Sequence, residues 1–100
     1  MARISGNVNA NGSIESNTSN TGGFSVTAQP NGNAPGTYRV TFDTPFSETP
    51  TVVANPINTE PMMGAILVGI VPTKSYVDLK FVYNGQYAAY SFSFAAWGAQ

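Results

Sequence analysis

From Gly36 to the C-terminus, apolar and polar residues alternate, and a period of two builds strands rather than helices. In GTYRVTFD (36–43), Tyr38, Val40 and Phe42 share one face while Thr37, Arg39 and Thr41 take the other. In YVDLKFVY (76–83), Val77, Leu79, Phe81 and Tyr83 oppose Tyr76, Asp78, Lys80 and Val82. In AAYSFSFAA (88–96), Tyr90, Phe92 and Phe94 oppose Ser91 and Ser93. Two further apolar runs, PTVVANPI (50–57) and GAILVGIV (64–71), lie between them, bounded by proline-containing stretches. FSVTAQ (24–29) and the segment from Arg3 to about Ile14 are weaker strand candidates. No segment joins a helical period to helix caps. About six or seven short strands with near-regular turn signals predict an all-β fold, a single antiparallel β-sandwich or barrel.

A chain of 100 residues, 42 % of them hydrophobic, supports one domain with one core. That domain is expected to span 1–100. Residues from about 1 to 35, rich in Asn, Gly and Ser, form weak strands and loops, and about 36–100 supply the core strands. Only 9 % of residues are charged, against about 25 % in an average soluble domain, so Asn, Ser and Thr make most of the solvent-facing surface. A net charge of -1 gives no footprint for nucleic acid or an anionic membrane, both of which call for clustered Lys and Arg. Neither cysteine nor histidine occurs, which removes disulfides, the usual zinc sites and every nucleophile–histidine pairing. No cofactor or metal is expected.

The acidic residues Glu15, Asp43, Glu48, Glu60 and Asp78 form no short cluster that would hold calcium. Each falls in a turn or on an outward strand face, so catalysis is not expected. No apolar run approaches the roughly 20 residues of a membrane span, and the N-terminus lacks the apolar stretch of a secretory signal. The expectation is a soluble chain, extracellular or on a virion surface, or cytosolic and released.

The run GAILVGIV departs from the alternation rule. Ala65, Leu67 and Val71 fall on one face, Ile66, Val68 and Ile70 on the other, so both faces are apolar. The outer face of a strand in a small sandwich normally meets water. Either loops from the N-terminal third cover this one, or it is a subunit interface. The chain also carries Asn84-Gly85 between two alternating runs, the strongest short hairpin signal, because both residues tolerate positive φ. Tyr83 then continues the core face, whereas Tyr87 falls on the opposite face near the turn. An exposed ring beside Asn84 and Gln86 suits a sugar, whose C–H face stacks on the ring while amides bond its hydroxyls. A hairpin tip also carries Tyr for strand propensity and cross-strand pairing alone.

From about Thr37 onward the chain resembles the H-type lectin domain, the family of snail agglutinins and the discoidin C-terminal module. The likeness rests on an ordered set of features. Phe42-Asp43-Thr44-Pro45-Phe46 leads to Pro50-Thr51-Val52-Val53. A central apolar strand ends in Val71-Pro72-Thr73, followed by Tyr76. The aromatic hairpin runs into Tyr90-Ser91-Phe92-Ser93 and ends at Trp97. Arg3-Ile4-Ser5-Gly6 also resembles the family's first strand. The resemblance implies a six-stranded antiparallel sandwich assembled as a trimer or stacked hexamer, binding galactose or N-acetylgalactosamine-type glycans between neighbouring protomers. It implies Tyr83 and Asn84 as an aromatic and a polar ligand residue, with Gly32 and Asn31 or Asn33 contributed by a neighbour's loop.

The family's arginine, aspartate and histidine have no counterparts. Met62-Met63 stand near the first position, Asn replaces Asp in the loop, and His is absent. Each lost charge-assisted bond is worth about 1.5–3 kcal/mol. Trp97 is one residue out of phase with Phe94, so a β-bulge at Ala95-Ala96 is predicted to bring it inward. Two functions stay open: a multivalent glycan-binding module, and a structural trimeric tip or decoration domain of a phage fibre, capsid or secreted filament.

Overall fold

The structure, a computed structural model, describes residues 1–16, 20–57 and 64–100. It is a β-sandwich of two antiparallel sheets. The first contains β1 (Ala2–Val8), β8 (Phe92–Gly98) and β4 (Thr51–Pro56), in that order across the sheet. The second runs β2 (Phe24–Ala28), β3 (Thr37–Phe42), β6 (Tyr76–Tyr83) and β5 (Ile66–Pro72). A two-residue β7 (Gln86–Tyr87) pairs with the end of β6. The described residues therefore carry seven strands of at least five residues, where the resemblance implies six.

The alternation read from the sequence is the alternation of burial. Tyr38, Val40 and Phe42 on β3 point inward, as do Val77, Leu79 and Phe81 on β6 and Phe92 and Phe94 on β8. Between the sheets Phe92 stacks on Phe81 at 5.1 Å, and the Tyr38 ring leans on Phe92 at 5.0 Å. Such ring pairs add about 0.5–1.5 kcal/mol beyond the area they bury. The Asn/Gly/Ser-rich first third joins this core, because Ile4 and Val8 of β1 and Phe24 of β2 are buried with it. Its weak periodicity hides a full-length strand. β1 finds its partner in β8, an unbroken ladder from Ala2↔Gly98 to Val8↔Phe92.

Two strand details differ from expectation. The bulge predicted at Ala95-Ala96 is absent. β8 is the central strand of its sheet, in register with β1 on one side and β4 on the other, and a bulge there would interrupt two ladders. Strict alternation continues instead. Ala96 is buried inward, and Trp97 stays half-buried on the outer face opposite Arg3 and Thr51. A register shift does occur on the edge strand β5, between Leu67 and Gly69. It shifts the register of the next residues, so that Ile70 pairs with buried Leu79 yet stays 37 % exposed, and Val71 pairs with outward Asp78.

Candidate functional site

Several connections meet at one end of the sandwich, and β6 brings them together. Along one side β6 pairs first with β3, as far as Thr37↔Lys80, and then with β7, at Val82↔Tyr87 and Tyr83↔Gln86. The β2–β3 loop and the hairpin therefore abut end to end. Gly36 sits at the junction, where its carbonyl accepts the Phe81 amide at 2.9 Å. Its φ is +91°, and a Cβ there would stand 2.5 Å from the Ala88 carbonyl oxygen and 2.7 Å from that of Phe81. No residue with a side chain fits this approach.

The hairpin forms as its sequence demands. Asn84 and Gly85 adopt φ of 52° and 75°, the paired positive values of a type I′ turn. Tyr83 faces inward and packs against the core, whereas Tyr87 lies on the outer face and is 51 % exposed. Asn84 at the tip is exposed as well. The loop residues Asn31, Gly32 and Asn33 are all exposed on and after a short 3-10 turn (Pro30–Gly32) that Pro30 anchors by its burial. Gln29 and Asn31 hold left-handed backbone there, with φ of 51° and 57°. One chain thus places the loop and the hairpin at the same end. It separates Tyr83, half-buried against the core, from Asn84 and Tyr87 at the surface. Met62-Met63 and Glu60 lie outside the described residues.

The outer face beside the hairpin is apolar. Ile66, Val82 and Tyr87 form one cross-strand row. Ile66, Val68 and Val71 are exposed by 55 %, 50 % and 56 %. No described part of the chain covers this face of β5. Towards the sheet centre the surface turns polar. Arg39 donates to both carboxylate oxygens of Asp78, at 2.8 and 3.0 Å, and its guanidinium lies 4.0 Å from the centre of the Tyr76 ring. The hydrogen bonds to Asp78 hold the Arg39 pKa above its ordinary value. This fork satisfies the carboxylate of the described strand that the sequence leaves facing solvent.

At the same end a cleft of about 300 Å³ opens between the 9–13 turn, the β2–β3 loop and the chain after the hairpin. Ala10, Ala28, Pro35 and Ala89 give it small apolar walls, Asn11 and Gln29 are its polar side chains, and Gly36, Thr37 and Tyr38 complete it. The phenol of Tyr38 ties two of these segments together. It donates to the Ala10 carbonyl at 2.6 Å and accepts from the Tyr90 amide at 3.1 Å. Burial pushes its pKa up. None of the six residues singled out from sequence lines the cleft. Asn11, Gln29 and Ala89 carry no sequence pattern that marks them, and Gly36, in QPNGNAPG, is the one local signal of a close backbone approach.

The described residues hold no cluster of three His, Cys, Asp or Glu side chains that would bind a metal. Compared with known proteins, the chain matches no family model, no curated protein and no solved structure.

Proposed function

We propose that this domain is a carbohydrate-binding module that works as a homo-oligomer, a trimer or hexamer, on galactose or N-acetylgalactosamine-type glycans. The observation that carries the proposal is Tyr87. Its ring is half exposed on a tight I′ hairpin, with Asn84 at the turn, and the core of its own chain makes no use of it. A ring held on a rigid turn loses little entropy on stacking against a sugar, and the neighbouring amide supplies both a donor and an acceptor. The exposed face of β5 supplies the subunit contact, since an apolar stripe of this kind calls for a partner. Asn31, Gly32 and Asn33 of a neighbouring subunit complete the site. Tyr83 supports the hairpin from the core side. Weak single sites then act together through avidity, on a cell or virion surface. The ordered motifs that resemble those of H-type lectins favour the same reading.

A second reading rests on a separate observation. Tyr87 shares its row with Ile66 and Val82, so the ring continues the apolar stripe. In that case it belongs to the subunit contact, and the domain is a structural tip or decoration without a ligand. A glycan array, run alongside light scattering in the same buffer, separates the two. Selective binding by an assembly of 10.5 kDa chains supports the lectin reading. An assembly that ignores every glycan leaves the structural one.

A further inference from the structure

We propose that the cleft between the 9–13 turn, the β2–β3 loop and residues 88–90 is a second sugar-binding position, complete within one subunit and sized for one neutral monosaccharide unit. The proposal rests on the carbohydrate reading above and places a site where neither the hairpin face nor a subunit boundary is needed. Its volume of about 300 Å³ lies at the lower end of small-molecule sites, which suits a single ring.

The chemistry of the cleft selects the ligand class. None of its lining residues carries a charge, so it holds no charge partner for a phosphate, a carboxylate or a cation, and a neutral ligand suits it best. Its two amide side chains are each half engaged. Oδ1 of Asn11 accepts from the backbone N and the hydroxyl of Ser13, at 2.9 and 2.7 Å, which leaves Nδ2 as the donor. Nε2 of Gln29 donates to the Asn33 carbonyl at 3.3 Å, which leaves Oε1 as the acceptor. A sugar hydroxyl both donates and accepts, and so matches this pair. Between the amides, Ala10, Ala28, Pro35 and Ala89 present methyl and methylene surface to ring C–H groups. The cleft is also built before any ligand arrives. Tyr38 fastens Ala10 to Tyr90, and Gly36 locks the loop against Ala88, which reduces the entropy lost on binding.

The test is an amide-resolved NMR titration with galactose and with N-acetylgalactosamine, using N-methylacetamide as a non-sugar control. Saturable shifts at Asn11, Gln29, Gly36 and Ala89 support the proposal. Ala89→Leu fills the cleft from an exposed position, and Asn11→Asp keeps the bonds from Ser13 while removing the donor. Both should weaken those shifts, by about tenfold and about three- to tenfold in affinity. Spectra unchanged away from the cleft will show that both variants fold. A monomeric Val68→Lys variant should bind as tightly per site as the parent. Sugar shifts confined to residues 83–87 and equal in Ala89→Leu overturn the cleft and leave the carbohydrate reading standing. No shift with either sugar overturns both. Equal saturation by N-methylacetamide overturns the sugar class.

Discussion

Replacing Tyr38 by Phe isolates one oxygen atom. The ring keeps its place between Phe81 and Phe92, so core packing is preserved. The Ala10 carbonyl loses its donor and the Tyr90 amide loses an acceptor. Each bond contributes about 0.5–1.5 kcal/mol net, more where a partner stays buried without a replacement. The variant is therefore expected to be less stable by about 2 kcal/mol. That lowers Tm by roughly 10 °C in a domain of this length. Urea unfolding at pH 7 measures it, with the slope m unchanged because the same surface is exposed. A second readout comes from alkali. The folded-state pKa of Tyr38 lies above its ordinary value of 10.0, with desolvation as the main cause. The folded chain then holds this proton more tightly than the unfolded one. Stability is full below pH 10 and falls as pH rises through the raised pKa. The Phe variant lacks that part of the decline. A variant as stable as the parent at pH 7, or one with the same alkaline loss, would refute the reasoning.

Four further outcomes are expected. Gly36→Ala should cost about 3 kcal/mol or more, because φ is +91° and a Cβ meets two carbonyl oxygens. Gly85→Ala, with φ +75° and nothing within 4 Å of a Cβ, should cost about 1–2 kcal/mol, and equal losses in urea melts would refute the distinction. If the proposed assembly forms through the exposed face of β5, Val68→Lys should change the stability of the chain by less than about 0.5 kcal/mol while light scattering gives the 10.5 kDa chain; an intact assembly would place the subunit contact elsewhere. Under the same proposal, Tyr87→Ala should remove the hairpin site's share of glycan-array binding and keep the assembled mass, and loss of mass would assign the ring to the contact instead.

The strands were legible wherever one face is buried and the other wet, as in β3 and β6, because period-two alternation is itself a record of burial. β1 was less legible, since Gly6 and Ser5 blur the pattern and its register comes from β8, ninety residues away in the chain. The pairing of Ile70 and Val71 was shifted by a bulge whose one local mark is Gly69 within the apolar run. Trp97 shows the opposite limit: side-chain size argued for burial, but two unbroken ladders fix which way a residue of a central strand points. At the candidate site the hairpin was readable because Asn84-Gly85 is a local signal. The cleft was not, because Asn11, Gln29 and Ala89 converge only through long-range pairing and the reach of the Tyr38 hydroxyl.

The shift in β5 also bears on how readily another strand can add to this edge of the sheet. An edge strand with an even row of free amides and carbonyls is a template for endless lateral growth. Here the edge is interrupted at Val68, and the residues on either side of it follow different phases. A strand laid along it in register would match one half and miss the other. Under the proposed assembly, a neighbour would engage the exposed side chains of Ile66, Val68 and Val71 rather than the backbone. The apolar side chains of this edge are thus exposed without the even backbone row that lateral strand addition requires.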